Sequence, residues 1–111
     1  MADAHVKDQP PEHVLSFIGD AGGDQVFVHA DAAGLDLLIH RLTRLRAHLD
    51  RGECEHEHLF TTAWTGAGDL STRGVGEGEH VIQHVKIYAW TAEWVEKHHL
   101  RDSNPDATPT A

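Results

Sequence analysis

The sequence predicts an α+β fold in two layers: a four-stranded, mainly antiparallel sheet with one long amphipathic helix on one face. The order is β-β-α-β-β, with room for a short C-terminal helix. Three observations carry this. Two short apolar runs flank a glycine-rich connection, leucines then recur at helical spacing, and two later runs alternate ring-bearing with aliphatic residues.

The first run, HVLSFI (His13 to Ile18), stops at GDAGGD, whose glycines permit the backbone angles of a tight connection, and QVFVHA (Gln25 to Ala30) follows. The pair reads as a β-hairpin. From Asp31, an N-cap residue, Leu35, Leu38, Ile39, Leu42, Leu45 and Leu49 lie three and four apart, which predicts a helix burying that stripe and ending at Gly52. His40, Arg41, Arg44, His48 and Arg51 fall off the stripe and are expected in solvent. HLFTTAW (His58 to Trp64) and HVIQHVKIYAW (His80 to Trp90) read as the remaining strands, joined by TGAGDLSTRGVGEGE, a long mobile loop. Thr91 to Leu100 reads as a short helix or an irregular continuation.

The chain of 111 residues has room for one domain, placed at residues 13–100. Residues 1–12 and 101–111 read as disordered tails, being rich in turn formers and poor in apolar groups. No apolar run reaches the roughly 18 residues of a membrane span, and the start carries no hydrophobic signal region, so a soluble, cytoplasmic protein is expected.

Acidic residues number 18 against 9 basic ones, for a net charge of -9. Such a chain repels phosphate backbones, which argues against nucleic acid and favours a basic protein partner. Solvation alone also explains the acidity. Histidine is unusual in number: 11 side chains, if unperturbed, titrate around pH 5 to 7 and move the net charge from -9 towards positive values. Charge-sensitive binding is therefore expected to weaken in mild acid.

Alternation sorts the later strands into two faces. Leu59, Thr61 and Ala63 share a side with one another, as do Val81, Val85, Ile87 and Ala89 on the last strand; these sets suit the face under the helix. His58, Phe60, Trp64, His84, Lys86, Tyr88 and Trp90 then share the uncovered face and form a candidate partner-binding patch, or the contact of a homodimer. The alternative is ordinary packing, with these rings forming the core and Thr91 to Leu100 folded over them.

Chemistry beyond binding is sparse. Cys54, the single cysteine, cannot form an internal disulfide, and Glu53 and Glu55 beside it disfavour its thiolate. In GECEHEHLF, alternate residues stand about 6.6 Å apart, so His56 and His58 can share an ion while Cys54, about 13 Å from His58, cannot. A third ligand would come from His80 or His84. The alternative functional reading is thus a small histidine-based metal-binding protein or metal-dependent enzyme using His56, His58, His80 and His84. No nucleophile elbow or phosphate-binding loop is present, and no enzyme activity or cofactor is expected.

EHEHLFTTAW, the glycine-bearing TGAGDLS and VIQHVKIYAW, preceded by a strand and an amphipathic helix, together resemble the immunity protein 32 family of bacterial polymorphic toxin systems. The likeness spans roughly Val26 to Trp90. It is most specific at His84, Lys86, Ile87, Tyr88 and Trp90, and looser at His56, His58, Leu59, Leu70 and Ser71. Trp64 is followed by Thr65 and Gly66 rather than directly by glycines, which departs from the family pattern. The resemblance implies a small intracellular, non-enzymatic protein that binds and neutralises a cognate toxin domain.

Overall fold

The computed structural model describes residues 11–65, 68–74 and 80–102. The tails expected at 1–12 and 101–111 lie outside them, apart from residues 11, 12, 101 and 102. Strands β1 (Leu15–Gly19) and β2 (Val26–Ala30) form the antiparallel hairpin, with Leu15 opposite Ala30 and Gly19 opposite Val26. Its connection is closed by Asp20, whose Oδ1 accepts from the backbone N–H of Asp24 (2.9 Å) and Gln25 (3.1 Å), while Gly23 takes the positive φ of 78° that the turn needs.

Helix α1 (Ala32–Asp50) begins at Asp31. The Asp31 Oδ1 accepts from Gly34 N (2.8 Å) and from Val14 N (3.0 Å), so one carboxylate caps the helix and ties it to the hairpin. Those bonds, Gly34's first and Val14's next, hold the carboxyl below its ordinary range. Because the folded value is depressed, this stabilisation is present above the ordinary carboxylate range and is lost as pH falls through the folded value. Asp31→Ala should therefore lower the melting temperature at pH 7, and the deficit should shrink in acid; an unchanged deficit at pH 3 would deny the carboxylate this role. The helix ends as expected at Gly52 (φ 76°), with Gly52 N donating to Leu49 O and Glu53 N to His48 O, the paired bonds of a Schellman motif.

The buried stripe of α1 differs from the expected one. Gly34 and Leu45 are buried, and Leu37 and Leu38 pack on the core, whereas Leu35, Ile39 and Leu42 stay 49%, 58% and 43% exposed. Two contacts set this roll. Gly34 lies against the Val14 carbonyl, and Arg41, expected in solvent, is half-buried against Glu57 and Asp69. An apolar period alone does not reveal that an arginine will be drawn to the inner side.

The expected single four-stranded sheet is instead two antiparallel sheets, β2-β1-β4 and β3-β5. Strand β3 spans Glu55–Phe60, starting earlier than expected; the chain then turns into a short helix α2 (Thr62–Thr65), so Trp64 is not on a strand. The long final strand is broken into β4 (His80–Val81) and β5 (His84–Ala89). The break follows from a change of partner: Val81 pairs with Ile18 of β1, Val85 with Leu59 of β3, and between them Ile82 N donates to Phe17 O while Gln83 O accepts from Thr61 N. Helix α3 (Ala92–Lys97) follows, capped by the Thr91 hydroxyl.

The core lies between α1 and the sheets, centred on fully buried Leu15, Leu59 and Leu70 with Phe17, Leu37, Leu38, Val85 and Ile87 packed around them. Leu70 belongs to the stretch expected to be a mobile loop. It is held by Leu70 N donating to Phe60 O and Ser71 N to Leu15 O, so this segment stitches the two sheets together. Residues 66–67 and 75–79 of that stretch are outside the described residues. The buried hydroxyls are satisfied: Ser16 Oγ donates to Arg73 O (2.7 Å), and Thr61 Oγ1 to the Gln83 side chain.

Candidate functional site

The register of β3 and β5 decides which side chains share a face. Glu57 opposite Ile87 and Leu59 opposite Val85 look towards α1, where Glu57 meets Arg41 and Leu59 enters the core. Period-two alternation then sends His56 opposite Tyr88, His58 opposite Lys86 and Phe60 opposite His84 to the other face. The small helix α2 returns Trp64 to this face, and the chain beyond β5 adds Trp90.

These side chains form one continuous run of rings. Trp64 stacks on His84 (centroids 5.1 Å) and on Phe60 (5.7 Å); Phe60 stacks on His84 (4.6 Å) and His58 (5.5 Å). His58 meets His56 edge-on (4.8 Å), His56 meets Tyr88 (5.7 Å), and Tyr88 stacks on Trp90 (5.0 Å). Trp90 in turn stacks on Trp94 (5.1 Å), which meets His98 (4.1 Å). Lys86 Nζ lies 4.8 Å from the Tyr88 ring centroid. Trp64 is 56% exposed and Tyr88 48%, so the run presents large apolar area to solvent. All of the sequence-predicted partner residues, His58, Phe60, Trp64, His84, Lys86, Tyr88 and Trp90, are brought together.

Trp94 and His98 were not among them. Their signal was the four-residue spacing on a segment capped by Thr91, which sets both on one side of α3. His56, expected as a metal ligand and as part of the family-like strand, joins the ring run as well.

Electrostatically the face is basic at its centre. His58 Nδ1 and His84 Nε2 are 2.8 Å apart, so one nitrogen carries the shared proton and the other accepts it. The His58 ring is held below the ordinary histidine range, first by desolvation and then by the positive potential of His56, His84 and Lys86, with Glu57 opposing. A depressed histidine favours the neutral folded state, so its stabilisation is present above the ordinary histidine value and is lost as pH falls below it. The drop in melting temperature between pH 7 and pH 5 should accordingly be shallower in His58→Gln than in the wild type. Parallel slopes would show that His58 does not sense its neighbours.

No family model, curated protein or solved structure matches this chain. The resemblance to the immunity protein 32 family therefore rests on the residues that suggest it.

Among the described residues no group of three His, Cys, Asp or Glu side chains is placed to hold a metal ion. His56, His58 and His84 are neighbours in the ring run, but His80 lies on β4, paired with Gly19 in the other sheet. Cys54 accepts from Thr91 N (3.5 Å) and touches its hydroxyl (3.7 Å), which places the thiol at the cap of α3. No helix among the described residues is long and apolar enough to cross a membrane.

Proposed function

We propose that this chain is a non-enzymatic, cytoplasmic immunity protein that binds and neutralises a cognate bacterial toxin domain by direct protein contact. The supporting observation is the continuous ring run from Trp64 to His98 on the sheet face that α1 does not cover. Such a surface has the composition of an interface centre: aromatic rings with a polar edge and few conformers to freeze. Inhibition is steric, by occlusion of the toxin's active cleft.

Charge has two parts in this reading. The net charge of -9 steers a basic partner at long range, while the contact face offers imidazoles, an ammonium and rings rather than carboxylates. Tyr88 and Trp90 act as anchors because they sit mid-run, with neighbours on both sides to exclude water.

The test is to sequence the neighbouring genes and to co-express this chain with any toxin domain that they encode. Tyr88→Ala should weaken binding to that domain about 10- to 30-fold, the range of an aromatic anchor, while leaving the circular dichroism spectrum unchanged. A folded Tyr88→Ala protein that protects cells as well as the wild type, or a gene neighbourhood with no toxin domain, would remove this reading.

A further inference from the structure

Helix α1, which packs on the sheet face away from the rings, carries a second unpartnered surface. Leu35, Ile39 and Leu42 are exposed at the four- and three-residue spacing of a single helical stripe, which Arg46 continues. A lone exposed apolar residue needs no explanation, but three in line on a 19-residue helix make a ridge.

The arrangement of this ridge is self-complementary. Place a twofold axis between His40 and Arg41 and lay a second copy of the helix antiparallel against the first. Ile39 then meets Leu42 of the other copy, and by symmetry this contact occurs twice. The same operation brings Leu35 level with the stem of the other copy's Arg46. Asp36 comes within about one residue rise, ~1.5 Å along the axis, of that guanidinium. Among the described residues Asp36 has no ion-pair partner and Arg46 pairs only with Asp50, one turn along the same helix (2.6 Å), with both side chains mostly exposed. An aspartate without a partner and an arginine with donors to spare thus fall opposite each other in the register that matches the apolar residues. A generic hydrophobic partner explains the ridge but not this charge placement.

We propose that α1 is a homodimer interface, two copies packing antiparallel through Leu35, Ile39 and Leu42 and closed at each end by an Asp36–Arg46 ion pair. One helix face is small for an interface, so the dimer is a weak one, with a dissociation constant on the order of 10 µM. The two ring faces then point away from the shared helix layer, and each dimer displays two separate docking surfaces.

Sedimentation velocity of the full chain across about 1 µM to 1 mM, spanning that constant, should show concentration-dependent dimer. Ile39→Glu, at an exposed position that leaves the core intact, should abolish it. Asp36→Arg should weaken it at least 5-fold by setting like charges together. Asp36→Arg with Arg46→Asp should restore it at low salt, which a merely structural role for either residue would not do. A chain that stays monomeric throughout, because water or another segment of the same chain covers the ridge, overturns the proposal. So does a dimer untouched by Ile39→Glu but lost in Tyr88→Ala, which would place the contact on the rings. Toxin binding is a separate readout: Ile39→Glu should leave it intact.

Discussion

Replacing Gly34 by alanine should destabilise the fold by about 3 kcal/mol, against the preference of about 1 kcal/mol that a helix has for alanine over glycine. The reason is contact with backbone. A Cβ at Gly34 would lie 1.7 Å from the Val14 carbonyl oxygen and 2.7 Å from its carbon, and neither atom can rotate aside. Val14 would have to move, yet its N–H donates to Asp31 Oδ1 and its carbonyl accepts from Asp31 N. Two hydrogen bonds worth about 1 kcal/mol each are put at risk, and the next residue, Leu15, is fully buried in the core. Urea unfolding measures the loss. A variant as stable as the wild type would mean that α1 and the hairpin do not approach so closely.

That contact also marks where the sequence stops being legible. The hairpin, the Asp31 cap, the helix and its stop at Gly52 are all local, encoded within a few residues by turn chemistry and period, and the structure has each of them. The roll of α1 is not local. Leu35, Ile39 and Leu42 belong to the most obvious apolar stripe and yet face solvent, because Gly34 and Arg41 answer to Val14, Glu57 and Asp69, residues far apart in the chain. The sheet division was hidden for the same reason. Nothing in HVIQHVKIYAW announces that its first half pairs with β1 and its second with β3. Leu70 was misplaced because glycines around it read as a loop, whereas its own side chain fills the core.

The ring face was legible because alternation is a strict rule. Once Leu59 and Val85 face the core, period two leaves His58, Phe60, His84 and Tyr88 no other side to occupy. The rule fails at the ends, where the strand does. Trp64, expected on this face as a strand residue, reaches it from helix α2 instead, and Trp94 reaches it from α3, as their stacking on His84 and Trp90 shows.

Arg41 fastens that face from behind, and its removal should have an effect of similar size. Its guanidinium donates to Glu57 Oε1 (3.1 Å), to the His58 carbonyl (3.0 Å) and to Asp69 Oδ2 (2.5 Å), with the side chain 20% exposed and Glu57 only 11%. Leucine in its place would leave Glu57 with Arg44 alone, at 3.4 Å and mostly in solvent, and would take a donor from the His58 carbonyl. A largely buried carboxylate left with one exposed partner makes this costly, about 3 kcal/mol at these exposures. Lysine should rescue only part, since one ammonium cannot reach acceptors on β3 and on the Asp69 segment together. The double variant Arg41→Leu with Glu57→Leu removes both charges, so it should recover most of the loss. A double variant no more stable than Arg41→Leu would show that the cost comes from the His58 carbonyl and Asp69 instead. In either case β3 loses a tether at the residue whose ring sits amid the aromatic run. On the proposed function, Arg41→Leu should therefore also weaken toxin binding from the far side of the sheet, without touching the toxin.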